Sequence, residues 1–280
     1  MPQRTTTTDD YRRRLQRAQV LLESRLDEDV SPVEAARAAN FSLHHFHRIF
    51  RAQLGESVME YTRRLRLERA ARELRLKDDR LLDVAVRAGY QSHEAFTRAF
   101  TERFGVTPSL FRERPSVRLT EWKKAPEAPR LDVRVRPFPP LQLVGMRHRG
   151  SYANVGETWA RLMTWSFAHA PGALQYGLCP DDPEVTATEN LRFDACLAAD
   201  VTHAEVTSLH VEAGAWAVAV HRGPYARLSE TYLDLIGRWF PTSGHEPAVD
   251  AVVEHYLNDP RVTPEAELRT EVRVRLAEPA

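Results

Sequence analysis

Apolar residues recur at helical spacing from Asp10 to Glu28, at Leu15, Ala18, Leu22 and Leu26, with Arg12, Arg13, Arg14 and Arg17 mostly on other faces. This pattern predicts an amphipathic opening helix. The segment SPVEAARAANFSLHHFHRIFRAQLG then starts with Ser31 as N-cap, Pro32 at the first helical position and Glu34 three residues after the cap. A short helix to about Ala39 follows. Asn40 can take the left-handed conformation that ends it, and Ser42 can cap a second helix, so the segment reads helix, tight turn, helix.

The same pattern returns in LLDVAVRAGYQSHEAFTRAFTERFG, where Ala85, Ala88 and Gly89 stand for Ala36, Ala39 and Asn40. After one extra turn residue, Ser92, Phe96, Arg98, Phe100 and Gly105 match Ser42, Phe46, Arg48, Phe50 and Gly55 at an offset of 50. Between the two units, Val58 to Arg75 reads as one helix with Leu65, Leu67, Ala70, Ala71 and Leu74 on its apolar side. At about 1.5 Å per residue that helix spans about 27 Å. With the turns at its ends, it can set the units in successive major grooves about 34 Å apart.

Residues 115–130, RPSVRLTEWKKAPEAP, are rich in proline and charge and read as a linker with a short strand through Val117 to Leu119. From Leu131 the apolar period shifts toward two. LDVRVRPF, LQLVGMRH, LRFDACLA, AWAVAVHR, AVDAVVEHYL and TEVRVRL read as strands, interrupted by helices from about Tyr152 to His169 and Tyr225 to Phe240. This half is also duplicated. His148, Arg149, Gly150, Tyr152, Ala153, Glu157 and Thr158 recur 73 positions later, from His221 to Thr231. Asp182, Pro183, Val185, Thr186, Leu191, Arg192 and Asp194 recur 77 positions later, as Asp259 to Glu271. Two strand, helix, strand, strand units sharing a sheet would be related by a pseudo-twofold axis, with a groove between them suited to a ligand.

Charge separates the halves. Up to residue 124 there are 25 Lys and Arg against 18 Asp and Glu, and after it 14 against 21, although the whole chain of 280 residues is formally neutral. The basic half can be drawn to a polyanion, and the acidic half must do something else. With no apolar run near the roughly 18 residues of a membrane span, no secretion-type leader and two cysteines, Cys179 and Cys196, read as small buried thiols, a cytoplasmic location without membrane contact is expected.

Residues 10–115, down to the closing GYQSHEAFTRAFTERFGVTPSLFRE, resemble the AraC/XylS-type DNA-binding domain. The resemblance implies that the second helix of each unit enters the major groove of double-stranded DNA. The groove-facing positions are then Leu43, His44, His47 and Arg48 in one unit and His93, Glu94, Thr97 and Arg98 in the other. Arg48 and Arg98 can bridge guanine or hold a phosphate, and Glu94 can accept from cytosine N4 but is repelled by phosphate. His44 and His47 stand three apart, but no cysteine or carboxylate at matching spacing completes a metal site. For Arg12 to Arg17 and Arg63 to Arg72, a solvated helix face and phosphate contact are equally open.

Residues 130–278, through HRGPYARL, ENLRFDACL, VEHYLNDP and LRTEVRV, resemble the GyrI-like small-molecule-binding domain. That resemblance implies a lipophilic, often cationic ligand held by aromatic walls and a buried acid, since ring faces attract cations and a carboxylate supplies the counter-charge. Glu254 is the leading acid and shares a strand face with Tyr256; Glu271, with its repeat mate Asp194, is the second. Tyr225, Tyr152, Trp159, Phe193 and Trp216 are the candidate walls, and His148 and His221 read as structural.

The expected protein therefore has two domains. An all-α double helix-turn-helix domain covers residues 8–115, with units at about 31–55 and 81–105. A linker covers 116–130, and an α+β duplicated GyrI-like domain covers 131–278. The expected function is a sequence-specific transcription regulator answering to a small effector, with RNA polymerase a candidate partner and a monomer or weak dimer as the assembly. No cofactor, metal or catalytic residue is expected. No nucleophile with a base at recognisable spacing and no phosphate-cradling glycine loop are present. The alternatives are a hydrolase of reactive xenobiotics and a protein-inhibitory interaction module.

Overall fold

The computed structural model describes residues 7–114 and 131–277, and the chain divides into two compact units, one helical and one built on a sheet. The expected linker, and the strand within it, lie outside the described residues.

The helical unit runs α1 (Thr7–Ser24), α2 (Pro32–Ala38), α3 (Leu43–Leu54), α4 (Val58–Leu76), α5 (Leu81–Arg87), α6 (His93–Phe104) and α7 (Pro108–Glu113). Ser31 and Glu34 form the capping box at α2, and Ser57 and Glu60 form another at α4, so each satisfies free amides at a helix start. Leu15, Ala18, Leu22, Ala36, Phe46, Phe50 and Tyr61 make the first unit's core. α1 is shorter than its apolar pattern suggests. The carbonyls of Leu26 and Glu28 accept from Arg66 at 2.7 and 2.8 Å instead of from helical amides.

Both inter-helix turns use the left-handed region, Asn40 at φ 54° and Gly89 at φ 82°. Gly89 is doubly constrained, because a Cβ there would lie 2.7 Å from Nη1 of the anchored Arg66. Gly55, at φ 78°, faces open space. Gly89→Ala is therefore expected to destabilise the domain by more than the roughly 1–2 kcal/mol of backbone strain, and Gly55→Ala by that strain alone. Equal midpoints for the two variants in urea unfolding would refute the role of Arg66.

Several arginines of α1 and α4 are internal clamps, an outcome neither open reading included, whereas Arg12, Arg17 and Arg63 are exposed. Arg14 bonds the carbonyls of Ala39 and Asn40 and lies over the Phe41 ring. Arg64 reaches Glu56 at 2.7 Å and Glu68 at 3.0 Å, and Glu68 also accepts from Arg103 at 2.7 Å. Arg69 holds Asp27 and the Arg87 carbonyl.

The second unit runs β1 (Val133–Phe138), β2 (Leu141–Arg149), α8 (Gly156–His169), β3 (Gln175–Cys179), β4 (Arg192–Leu197), β5 (Thr207–Val211), β6 (Gly214–Arg222), α9 (Leu228–Asp234), α10 (Phe240–Ser243), β7 (Val252–Tyr256) and β8 (Arg269–Arg275). A π-helical turn, Leu235–Trp239, joins α9 to α10. The eight strands among the described residues form one sheet, in the order β1-β6-β8-β7-β3-β4-β2-β5. The duplication is visible in that order: β2, β3 and β4 mirror β6, β7 and β8 about the central β3–β7 pair. Each copy also lends its first strand to the other's edge, β1 beside β6 and β5 beside β2.

The repeat is preserved bond for bond. His148 Nε2 meets the Ser151 carbonyl at 3.0 Å, and His221 Nε2 meets the Pro224 carbonyl at 3.1 Å. The amides of Gly150 and Gly223, both at strongly positive φ, donate to Leu191 and Leu268. Both histidines thus brace the turn into the following helix. Leu228 and Leu235 pack on Ala217, Ala219, Val272 and Val274, which sets α9 on one face of the sheet. Trp159 of α8 packs on Phe193 and Tyr256 of the same face.

Candidate functional sites

The recognition faces follow from helix geometry. On α3, Phe46 and Phe50 are fully buried while Leu43, His44, His47 and Arg48 are exposed on the opposite side. On α6, Phe96, Ala99 and Phe100 are buried; Glu94 and Arg98 are exposed, and His93 and Thr97 half-buried. Each predicted quartet therefore forms one stripe. Two details modify its chemistry. The Thr97 hydroxyl is buried without a hydrogen-bond partner among the described residues. Glu94 is held below the usual carboxylate range by its own backbone amide and the Ser92 hydroxyl, with His93 and Arg98 adding to the effect. It stays ionised and serves the start of α6 as well as any groove contact.

In the sheet unit, Gly177 of β3 pairs with Glu254 of β7. These two residues are also repeat mates, 77 positions apart, so the pseudo-twofold axis passes between them. A carboxylate from each copy would meet there. Glycine supplies one side instead, and a Cβ at 177 would lie 2.8 Å from both Phe193 Cζ and the Tyr256 hydroxyl. The duplicated domain thus keeps a single acid on its axis.

Glu254 is 5% exposed. The Tyr232 hydroxyl donates to its Oε1 and the Tyr256 hydroxyl to its Oε2, both at 2.5 Å, and the Cys179 thiol lies 3.7 Å from Oε1. Burial pushes its carboxyl above the usual value, against the pull of those bonds and of His221. Burial likewise raises Tyr232, Tyr256 and Cys179, and pushes Tyr225 up to about 12, so they remain protonated donors.

Rings enclose this acid. Tyr256 packs edge-on to Trp159 at 5.3 Å and to Tyr225 at 5.4 Å, and Phe193 contacts Trp159 and Tyr152 at 6.3 Å. Tyr152 also donates to the Asp181 carbonyl. Six of the eight residues expected at the ligand site therefore gather here.

The other two do not join them. Glu271 pairs across the ladder with His255, and Trp216 with Arg275, on the face that alternation sets opposite Glu254. Glu271 lies beside His255 and is engaged by Arg273, and these two, His255 foremost, hold its carboxyl down to about 2. Its mate Asp194 is likewise held by Arg147 at 2.8 Å. Both are held in ion pairs. Sequence reasoning missed Tyr232 and Cys179. The first sits on α9 at the repeat position of Trp159, 73 residues earlier, and that offset was the signal that could have found it; the second sits on a strand too short and glycine-interrupted to show alternation.

The profile of the GyrI-like small molecule binding domain matches residues 131–277, and that of a helix-turn-helix domain matches residues 35–114. The HTH-type transcriptional regulator YbfP of Bacillus subtilis is 37% identical over 102 residues, 36% of this chain and 35% of that protein. The transcriptional regulator Rob of Salmonella typhimurium is 36% identical over 103 residues, 37% of this chain and 34% of its own. The probable transcriptional regulator YgiV of Escherichia coli is 29% identical over 160 residues, 52% of this chain and 97% of its own. The chain thus matches about a third of the length of the first two. Among solved structures, an EcmrR–DNA complex aligns at TM-score 0.47 and 16% identity over 84% of each chain, and the EcmrR C-terminal domain at 0.46 and 16% over 53% of this chain and 98% of that one.

Proposed function

Because the chain belongs to the GyrI-like small-molecule-binding family and carries a helix-turn-helix domain before it, we propose that it is a transcription regulator whose α3 and α6 read DNA and whose Glu254 site takes a lipophilic cation. The observation that carries the ligand class is the company Glu254 keeps. Asp181, Asp194 and Glu271 each face an arginine in this unit. Glu254 is held by two phenols and a thiol, and among the described residues His221 is the basic group acting on it. A carboxylate buried among rings and lacking a guanidinium partner is matched by an incoming cation, which supplies the missing charge and stacks on the ring faces. The cation replaces phenol hydrogen bonds, so its binding is coupled to Tyr232 and hence to α9. A ligand that prefers one placement of α9 shifts the protein toward it.

For the DNA arm, Arg48→Ala and Arg98→Ala should each weaken binding to the selected site by about 1–3 kcal/mol if they read bases. A phosphate role would instead weaken all sequences alike. Affinity should fall with salt at a log–log slope of roughly 0.9 per neutralised phosphate. Selection of bound sequences from a random DNA pool, then fluorescence anisotropy across salt concentrations, tests this arm; a flat salt response refutes it.

A further inference from the structure

The pseudo-twofold axis that carries Glu254 on one face emerges on the other beside a cavity. Tyr176 and Val253 each precede the axial pair by one residue, so both point to the opposite face, and they too are repeat mates at 77. Both line a cavity of about 180 Å³, with Trp216, Arg273 and residues of the β1–β2 and β5–β6 turns: Phe138, Pro139, Leu141, Val211 and Glu212. Those turns are repeat equivalents, so the cavity is symmetric in its backbone frame. Its side chains are not symmetric. Arg273 stands where the other copy has Cys196, and Trp216 where it has Leu143.

We propose that this cavity is a second ligand site, back to back with the Glu254 site, for an uncharged single-ring aromatic molecule bearing one hydrogen-bond acceptor, such as an aryl amide. The volume is enough for one ring, since an apolar cavity of about 150 Å³ accommodates benzene. Aromatic and aliphatic walls set the apolar part. The polar end is Arg273, whose Nε bonds Glu271 at 3.0 Å and whose Nη2 bonds Glu271 at 2.5 Å and His255 Nδ1 at 2.8 Å. Its guanidinium lies 4.2 Å from the Phe138 ring centre and 5.7 Å from that of Tyr176. Trp216 Nε1, buried without a hydrogen-bond partner among the described residues, is the donor left for a ligand, beside the proton of the Tyr176 hydroxyl, whose oxygen Arg273 already engages.

Charge decides against an ion. Glu271 already offsets Arg273, and the exposed Glu212 carboxylate stands among the lining residues, so an anion gains no net partner. A cation would face Arg273. A neutral acceptor meets the donors without introducing a charge.

The chain has five tryptophans, and Trp216 and Trp159 report on opposite faces. Full-length protein labelled with 5-fluorotryptophan, its signals assigned through Trp216→Phe and Trp159→Phe, is titrated with benzamide, benzoate and benzylammonium. Benzamide is expected to move the Trp216 fluorine signal saturably, with at least tenfold tighter binding than either ion. Val211→Phe, and independently Leu141→Trp, both at half-buried rim positions, should weaken benzamide at least tenfold. Glu254→Gln should leave its titration unchanged, whatever Glu254 binds. An unmoved Trp216 signal, equal affinity for the ions, no effect of either rim substitution, or loss of the response in Glu254→Gln would each overturn the proposal.

Discussion

Glu254→Gln is expected to cut the affinity for benzyltrimethylammonium by more than a hundredfold while leaving that for its neutral isostere, neopentylbenzene, within about twofold. The change keeps the side chain's size and one acceptor and removes the charge. Removing one member of a buried ion pair costs about 3–5 kcal/mol, and about 1.4 kcal/mol corresponds to a factor of ten. Isothermal titration of both ligands reads the difference directly, and equal losses for the two would make Glu254 a structural acid. The pH dependence must agree. The carboxyl titrates above its usual 4.5 because burial disfavours the ionised form, so cation affinity should decline as pH falls through that raised value. Stability should move the other way. A raised folded pKa means that this group's stabilisation is complete below about 4.5 and is lost as pH rises through the folded value. Ligand-free Glu254→Gln should then melt higher than the parent protein at pH 8, with the gap closing toward pH 4.

Both duplications were legible in the sequence, because repeated residue types at a constant offset do not depend on knowing the contacts. Helix starts were legible for the same local reason: Ser31, Pro32 and Glu34 act within one turn. The ligand site was only partly legible. Glu254 and Tyr256 share a strand, and period two places them on one face without further information. Glu271 and Trp216 lie on other strands, and which face they take depends on register across β7, β8 and β6, a property of pairing rather than of any one segment. β3 escaped notice because QYGLC is five residues long, is buried over most of its length and carries Gly177 at its centre. Yet that glycine was the signal to follow. Adding 77 to its number gives Glu254, and the break in the repeat marks the site. The arginines of α4 were read as surface because their partners, Leu26, Asp27, Glu56 and Arg87, lie far apart in sequence or outside the helix.

That misread surface leads to the other large expected effect. Glu68→Ala should destabilise the helical unit by about 3 kcal/mol, although Glu68 is far from both recognition stripes in sequence. Its side chain is 3% exposed and receives Arg64 at 3.0 Å and Arg103 at 2.7 Å, while Arg64 also holds Glu56. Its removal leaves Arg64, itself 8% exposed, with half its counter-charge in a buried setting. Replacing both members by apolar residues, Arg64→Met with Glu68→Leu, should recover much of the loss, because no buried charge is then stranded. The network joins α4 to α6 through Arg103 and to the α3–α4 turn through Glu56, so it is expected to help set the separation of α3 and α6. Glu68→Ala should consequently lower affinity for a full two-groove site more than for a half-site, at temperatures where the variant is still folded. Urea unfolding and paired anisotropy titrations check the two claims separately. A stability loss under about 1 kcal/mol would place the carboxylate effectively in solvent. An equal loss on full and half sites would show that the spacing of α3 and α6 is held by apolar packing instead.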